Sequence, residues 1–331
     1  MSIAREKYSS KPRPIPNNCP TTVRIARKAD AAELYDLIMN GVVKDTSIAP
    51  PNEMKVAEMV NAVLAPAVSA NQPRPVVAVI DAPNGKIAAA APILPAQWWY
   101  SNDYYLYQPW IYVREAYRKQ PHSRTLIETV TWWSERVGLP MLMAAPSGDD
   151  FSDRRQVYSR YGKPFGGTFV HSGGLGVPTP KPRNVRVATV NDYPVVKALL
   201  LKMAEESAMA SVSNKKLDDM IMLTLTQSRG IVGLATDEFN NVVGLIGLIM
   251  VQWDYSLAWS YKDFAMFVSP DHRKGKYAVD LINFTKWWAE QTGIPVNIGV
   301  ASKSRTRAKI RFYSQHLRPL EVTFMHETEG A

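Results

Sequence analysis

The 331-residue sequence has one cysteine, Cys19, which excludes an intrachain disulfide and any zinc site built from thiolates, and fits a reducing compartment. Its five histidines, His122, His171, His272, His316 and His326, share no metal-ligand spacing, so no metal is expected. No apolar run reaches the roughly 18 residues that cross a bilayer. Even Val242 to Val251 is soon followed by Gln252 and Asp254, and the chain reads as soluble rather than membrane-bound. The opening MSIAREKYSSKPRPIPNN carries charge and proline where a secretory signal needs an apolar stretch, so a cytoplasmic protein is expected.

With 46% hydrophobic and 21% charged residues, the chain can fill one large core or two of ordinary size, and its length favours two. A net charge of +9 suits an anionic partner, whether nucleic acid, an acidic protein surface or a polyphosphate cofactor. A solvated basic surface accounts for it equally well.

An internal repeat organises the rest. Gln-Trp-x-Tyr-Ser occurs at Gln97, Trp98, Tyr100 and Ser101, and again at Gln252, Trp253, Tyr255 and Ser256, an offset of 155. The same offset carries Arg118-Lys119 onto Arg273-Lys274, Leu126-Ile127 onto Leu281-Ile282, Trp132-Trp133 onto Trp287-Trp288 and Tyr158 onto Tyr313. Upstream, Val23-Arg24-Ile25-Ala26 resembles Val185-Arg186-Val187-Ala188 at an offset of 162, which places a short insertion in a loop of the first copy. The division that follows is an arm at 1–20, a first copy at 21–170, a Gly/Pro linker at 171–184, a second copy at 185–326 and a tail at 327–331. The linker's GGLG lacks the strand-to-helix setting of a phosphate loop.

Apolar spacing predicts one element order for both copies: strand, two helices, three strands, helix, strand, helix, strand. In the second copy these are Asn184 to Ala188, a helix through Val195 to Met203, a helix over Asn214 to Gln227, and strands Gly230 to Thr236, Val242 to Val251 and Asp263 to Val268. Then come the helix Tyr277 to Gln291 stopped by Gly293, the strand Pro295 to Val300, the helix Ser304 to His316 and the strand Leu320 to Met325. The first copy gives Val23 to Ala26, Ala31 to Asn40, Glu53 to Ser69, Pro75 to Ile80, Lys86 to Ile93, Tyr104 to Val113, Arg124 to Val137, Met141 to Ala145, Ser152 to Tyr161 and Phe165 to Val170.

The segment from Phe267 through Ser269, Pro270, Arg273, Lys274, Gly275, Lys276 and Tyr277 to Ala278 joins a strand to a helix through a basic loop. It resembles the acetyl-CoA motif of the GNAT (GCN5-related) N-acetyltransferases, in which Arg or Gln, a Gly and a Gly or Ala recur at fixed spacing. The element order resembles that fold across each copy. The resemblance implies an α/β (α+β) class, with two tandem GNAT-type domains, each a mixed, mostly antiparallel sheet flanked by helices. Arg273 and Ala278 fit the motif; Lys276 stands at its glycine, and Gly275 falls one residue early. Free N–H groups at a helix N-terminus cradle a diphosphate, and small residues let the backbone approach it.

The first copy has Arg118-Lys119-Gln120-Pro121 there, and proline has no N–H to offer, so this copy is expected to bind coenzyme poorly. By the same resemblance Met266, Phe267 and Val268 contact the pantetheine through their backbone. Tyr313, with Tyr158 as its counterpart, is similar to the family's general acid toward the leaving thiolate. Asp263 and Asp254 read as surface carboxylates, and no general base is assigned.

The paired tryptophans read as core and contact between copies. Arg305, Arg307, Lys309 and Arg311 suit the coenzyme's 3′-phosphate, a nucleic acid or plain solvation, and His272 reads as a loop histidine. The leading expectation is transfer of acetyl from acetyl-CoA to an amine acceptor, small molecule, protein or nucleic acid such as tRNA, with the second copy active. The rival is a GNAT-fold binding or structural protein, for example virion-associated, that has lost the chemistry; Pro121 and Lys276 favour it.

Overall fold

The computed structural model describes residues 18–46, 48–65, 73–146, 151–172, 178–302 and 305–328, with backbone alone at 46 and 151–154. The arm before residue 18, linker residues 173–177, the tail from 329, Ser304 and the far end of the helix expected through Ser69 lie outside them.

The first copy runs β1 (Arg24–Ile25), α1 (Ala31–Leu37, extended by a π-helical turn Ile38–Val43), α2 (Glu53–Leu64), β2 (Val76–Asp81), β3 (Ile87–Gln97), β4 (Tyr104–Gln108), β5 (Tyr112–Val113), α3 (His122–Val137), β6 (Met141–Pro146), α4 (Phe151–Tyr158) and β7 (Lys163–His171). The second runs β8 (Val185–Val187), α5 (Tyr193–Ser207), α6 (Asn214–Leu225), β9 (Gly230–Thr236), β10 (Val242–Gln252), β11 (Trp259–Val268), α7 (Tyr277–Thr292), β12 (Val296–Ala301), α8 (Thr306–His316) and β13 (Arg318–His326). The expected order is present twice, as a mixed α/β fold. Helices α3 and α7 both stop at a glycine in the left-handed region, Gly138 (φ 71°) and Gly293 (φ 68°), where a side chain would be strained. The strand expected over Tyr104 to Val113 is broken into β4 and β5 around Pro109, which cannot donate to a ladder.

The strands form one sheet in the order β1-β2-β3-β4-β6-β13-β7-β12-β11-β10-β9-β8, with β5 beside β3. Pairing is antiparallel except for β4 with β6 and β11 with β12. The two copies follow one another along the chain, but their last strands are exchanged. β7 of the first copy pairs β12 of the second, from His171↔Val296 to Ala301↔Gly166, while β13 of the second pairs β6 of the first. β7 and β13 pair each other around a pseudo-two-fold axis. Two equivalent histidine–glutamate contacts close the exchange: His171 Nε2 lies 3.2 Å from Glu290 on α7, and His326 Nε2 lies 2.8 Å from Glu135 on α3.

The repeated Gln-Trp-x-Tyr-Ser segment is the second interlock. Tyr100, 2% exposed, inserts into the core formed by α5 and α6, and Tyr255 packs reciprocally against the core under α1 and α2. Carbonyls follow the rings, Tyr100 O accepting from Ser213 N–H and Tyr255 O from Asn52 N–H, both at 2.8 Å. Lys216 Nζ donates to Gln97 Oε1 (2.7 Å), and Lys55 Nζ donates to Gln252 Oε1 (2.8 Å). The repeat persists in sequence because each copy's motif must fit the same receptor in the other. Trp133 packs in the first copy's core, and Trp287 and Trp288 pack in the second's.

Candidate active site

β11 pairs β12 only at Tyr261↔Val296 and Lys262↔Asn297; from Asp263 onward the two strands splay. On its other edge β11 stays paired with β10, but the register slips between Gly247↔Ala265 and Leu248↔Asp263, leaving Phe264 as an extra, bulged residue. The ring of Phe264 lies where a Cβ on Gly247 would sit, 2.1 Å from its nearest atom, so a side chain at 247 would have to displace that ring. Beyond the bulge, Ser269 N–H reaches Val243 O on β10. Strand alternation then turns the N–H and C=O of Met266 and Val268 away from β10, into the splay.

The chain leaves β11 at Val268, makes one 3₁₀ turn (Pro270–His272) and enters α7 at Tyr277. Gly275 N–H donates to His272 O, while the N–H groups of Lys274, Lys276, Tyr277, Ala278 and Val279 have no protein acceptor among the described residues. They sit at the positive end of a 16-residue helix. Lys274 and Lys276 are exposed, and neither side chain fills the cradle with a bond or ion pair among the described residues. Tyr277, half-buried, lies edge-on to His272 at 5.7 Å, and Ala278 packs on the core.

Arg273 is placed differently from its motif expectation. Its Nε donates to Val268 O at 2.9 Å and its guanidinium pairs with Glu206 at the end of α5. Arg118 of the first copy does the same with Val113 O and Asp45, so this arginine fastens the loop in both copies. On α8, burial pushes the Lys309 ammonium down, Glu206 opposes that fall and the charges of Arg273 and Arg305 add to it; its Nζ donates to Ser302 Oγ at 2.8 Å.

Tyr313 on α8 is buried, and its hydroxyl lies 2.9 Å from the Met266 sulfur, at the edge of the splay. Burial first, and then the Asp263 charge, push its phenol well above the usual range, so it stays protonated. Its ring stacks at 5.5 Å on Phe169, a residue of the first copy delivered by exchanged strand β7. The reciprocal stack is Phe324 on Tyr158, at 5.7 Å.

Asp263 corrects the reading of a surface carboxylate. It is half-buried at the root of the splay, where Gly299 N–H of β12 donates to its Oδ1 at 2.6 Å. Burial raises its carboxyl to about 7, against the smaller opposing pull of that N–H and of Lys262. A carboxyl balanced near neutrality beside a cleft can exchange a proton at working pH. Asp254 shows no such setting and is exposed.

The repeat offset puts Gln108 at the position of Asp263 and Pro121 at that of Lys276. Gln108 is fully buried and has no carboxylate to titrate, and β4 remains paired with β6 through Gln108↔Met143. The first copy therefore lacks both the titratable group and one cradle N–H. Aligning the copies contains this signal: an acid on β11 stands where β4 has an amide.

No family model matches the sequence, and no curated protein matches it. Among solved structures, a GCN5-related N-acetyltransferase from Sphaerobacter thermophilus superposes with a TM-score of 0.55 over 95% of this chain and 98% of that one, at 14% identity. A GCN5-related glucosamine N-acetyltransferase region of a fungal multi-domain GH3 β-N-acetylglucosaminidase gives 0.54 over 92% of this chain and 37% of that one, at 13% identity. At such identities the likeness is one of architecture, and the chain carries the GNAT fold twice, joined through exchanged strands into one sheet.

Proposed function

We propose that the protein is an acetyl-CoA-dependent N-acetyltransferase whose second copy holds the coenzyme and carries the chemistry. The observation that supports this most is the asymmetry between the copies. Splay, free N–H groups and Asp263 coincide in the second, whereas the first has Pro121 and Gln108 at the corresponding positions.

The residues present fit the coenzyme. Lys274, Lys276, Tyr277 and Ala278 would meet the diphosphate with N–H groups, Gly275 keeps that backbone approachable, and Met266 and Val268 would pair the pantetheine in place of a neighbouring strand. Phe267 and Arg273 hold the strand end and loop in position. When bound, the coenzyme supplies an acetyl thioester, which the acceptor amine attacks directly, forming the amide C–N bond as the C–S bond breaks. Asp263 takes the proton that the amine nitrogen must lose, and Tyr313 donates one toward the sulfur that leaves. A phenol raised by burial gives up its proton only where the thiolate is desolvated beside it, which this reading requires at the edge of the splay. Holding both reactants in a slot of fixed backbone supplies much of the acceleration.

Thiol release in the presence of acetyl-CoA and an amine panel tests this reading. Turnover by the wild type that falls a hundredfold or more in Asp263→Asn, with coenzyme affinity kept, is the expected result. A chain that binds no coenzyme would instead favour a non-catalytic GNAT-fold binding protein.

A further inference from the structure

On the sheet face opposite α7 and α8, one row of residues crosses from the splay to the pseudo-two-fold axis: Gly299 on β12, Thr168 on β7 and Glu321 on β13, in register. Their strand neighbours Ile298, Val300, Phe169 and Val322 all face the α-helical cores on the other side, so these three face away from them. The next row along is equally small, Ala301, Gly166, Thr323 and Ala144. The first row forms a shallow trough, half-buried at Thr168 and Glu321 and exposed at Gly299, while Gly166, Thr323 and Ala144 of the second row are buried.

Two polar groups in this trough are unexplained by coenzyme binding or proton transfer. Glu321 is half-buried, accepts from the Thr168 hydroxyl at 2.8 Å and has no ion pair among the described residues; Lys262 and the Tyr107 phenol act on it only from a distance. Asn297, on the same face beside Lys262, is 6% exposed and its Oδ1 has no hydrogen-bond partner. A partly desolvated carboxylate and an unmet amide oxygen are costly unless donors come to them. Both are acceptors, so the missing group is a donor, and next to a carboxylate a cationic one. Glu321 lies two strand spacings from Gly299, about 10 Å, and Gly299 is the residue that holds Asp263.

We infer that the acceptor is a small aliphatic molecule with two amino groups, one presented to Asp263 at the splay and the other held across the trough by Glu321. The inference rests on the acetyltransferase reading above and names its substrate class. The anchor stands on an exchanged strand, and its repeat counterpart on β7 is Gly166, where a Cβ would lie 1.5 Å from Val300 O, so the symmetric position carries no carboxylate.

The test compares kcat/KM for a series of α,ω-diaminoalkanes with n-alkylamines of matched length. Diamines should be preferred by about tenfold to a hundredfold, the worth of one charge-assisted contact, with an optimum length. Glu321→Gln should collapse the preference, and Glu321→Asp, with its shorter side chain, should restore part of it at a longer diamine. Thermal melting and acetyl-CoA titration of each variant separate these effects from misfolding. Equal use of monoamines and diamines, or a preference unchanged in Glu321→Gln, overturns the inference while leaving the acetyltransferase reading intact. Absence of acetyl-CoA binding by the wild type overturns both.

Discussion

Asp263 is the residue on which the proposed chemistry turns, and its environment makes two opposite predictions for one substitution. As the base it must be ionised, so kcat/KM should climb as pH rises through about 7 and level off above it; Asp263→Asn should lose that dependence. For stability the sign reverses. Its folded pKa lies above the unfolded value, so the folded state binds the proton more tightly and loses stability as pH rises from the unfolded pKa to about 7. Asp263→Asn should therefore be inactive yet more resistant to urea at pH 8 than the wild type, whereas equal or lower resistance would mean that the carboxylate's charge is held without cost. Lys276 permits a similarly sharp comparison. Lys276→Pro, which copies Pro121 of the first half, removes one cradle N–H and should weaken coenzyme binding by about tenfold, while Lys276→Ala, which keeps the N–H, should cost less. Calorimetric dissociation constants for the pair decide whether the backbone or the ammonium does the binding. Tyr313→Phe should lower kcat more than it weakens coenzyme binding, and an unchanged rate would remove the phenol from the mechanism.

Among the elements, β7 matters beyond its own half, because Phe169 stacks on Tyr313 and Thr168 flanks Gly299. Phe169→Leu should slow turnover in the second copy although residue 169 belongs to the first, and kcat relative to coenzyme affinity is the readout. Much of the element order could be read from the sequence: glycine stops at 138 and 293, apolar helical spacing, and strands such as Val242–Gln252 are local signals. Neighbours across the sheet were not legible. The alternation in Lys163–His171 and Arg318–His326 says which face is buried but not which strand lies alongside, so the exchange was invisible. The Gln-Trp-x-Tyr-Ser repeat was visible as a repeat, yet its receptor, Lys55, Asn52 and Ser213, has no motif of its own. Asp263 escaped for a related reason. Burial of one carboxylate depends on a bulge at Phe264 and a glycine at 247 on another strand, neither of which hydropathy reports.

For the whole molecule, the exchange turns two homologous halves into one unit. Each half's sheet is completed by a strand of the other, and each half's helices are pinned by the other's tyrosine. Tyr100→Ala should cost about 3–5 kcal/mol, the range for emptying a buried aromatic site, and should lower the stability of both halves together. Denaturation followed at tryptophans of both halves should give one coincident transition; two separated transitions would mean that the halves are independently stable. In this arrangement the first copy can lose its own coenzyme site and remain indispensable as the frame that completes the second. The most direct test of that division of labour is the stoichiometry of acetyl-CoA binding to the full chain by isothermal titration calorimetry. One site per chain, abolished by bulky acidic residues at Gly275, Lys276 and Ala278, is the predicted result. Two sites per chain, or one that survives those replacements, would contradict it.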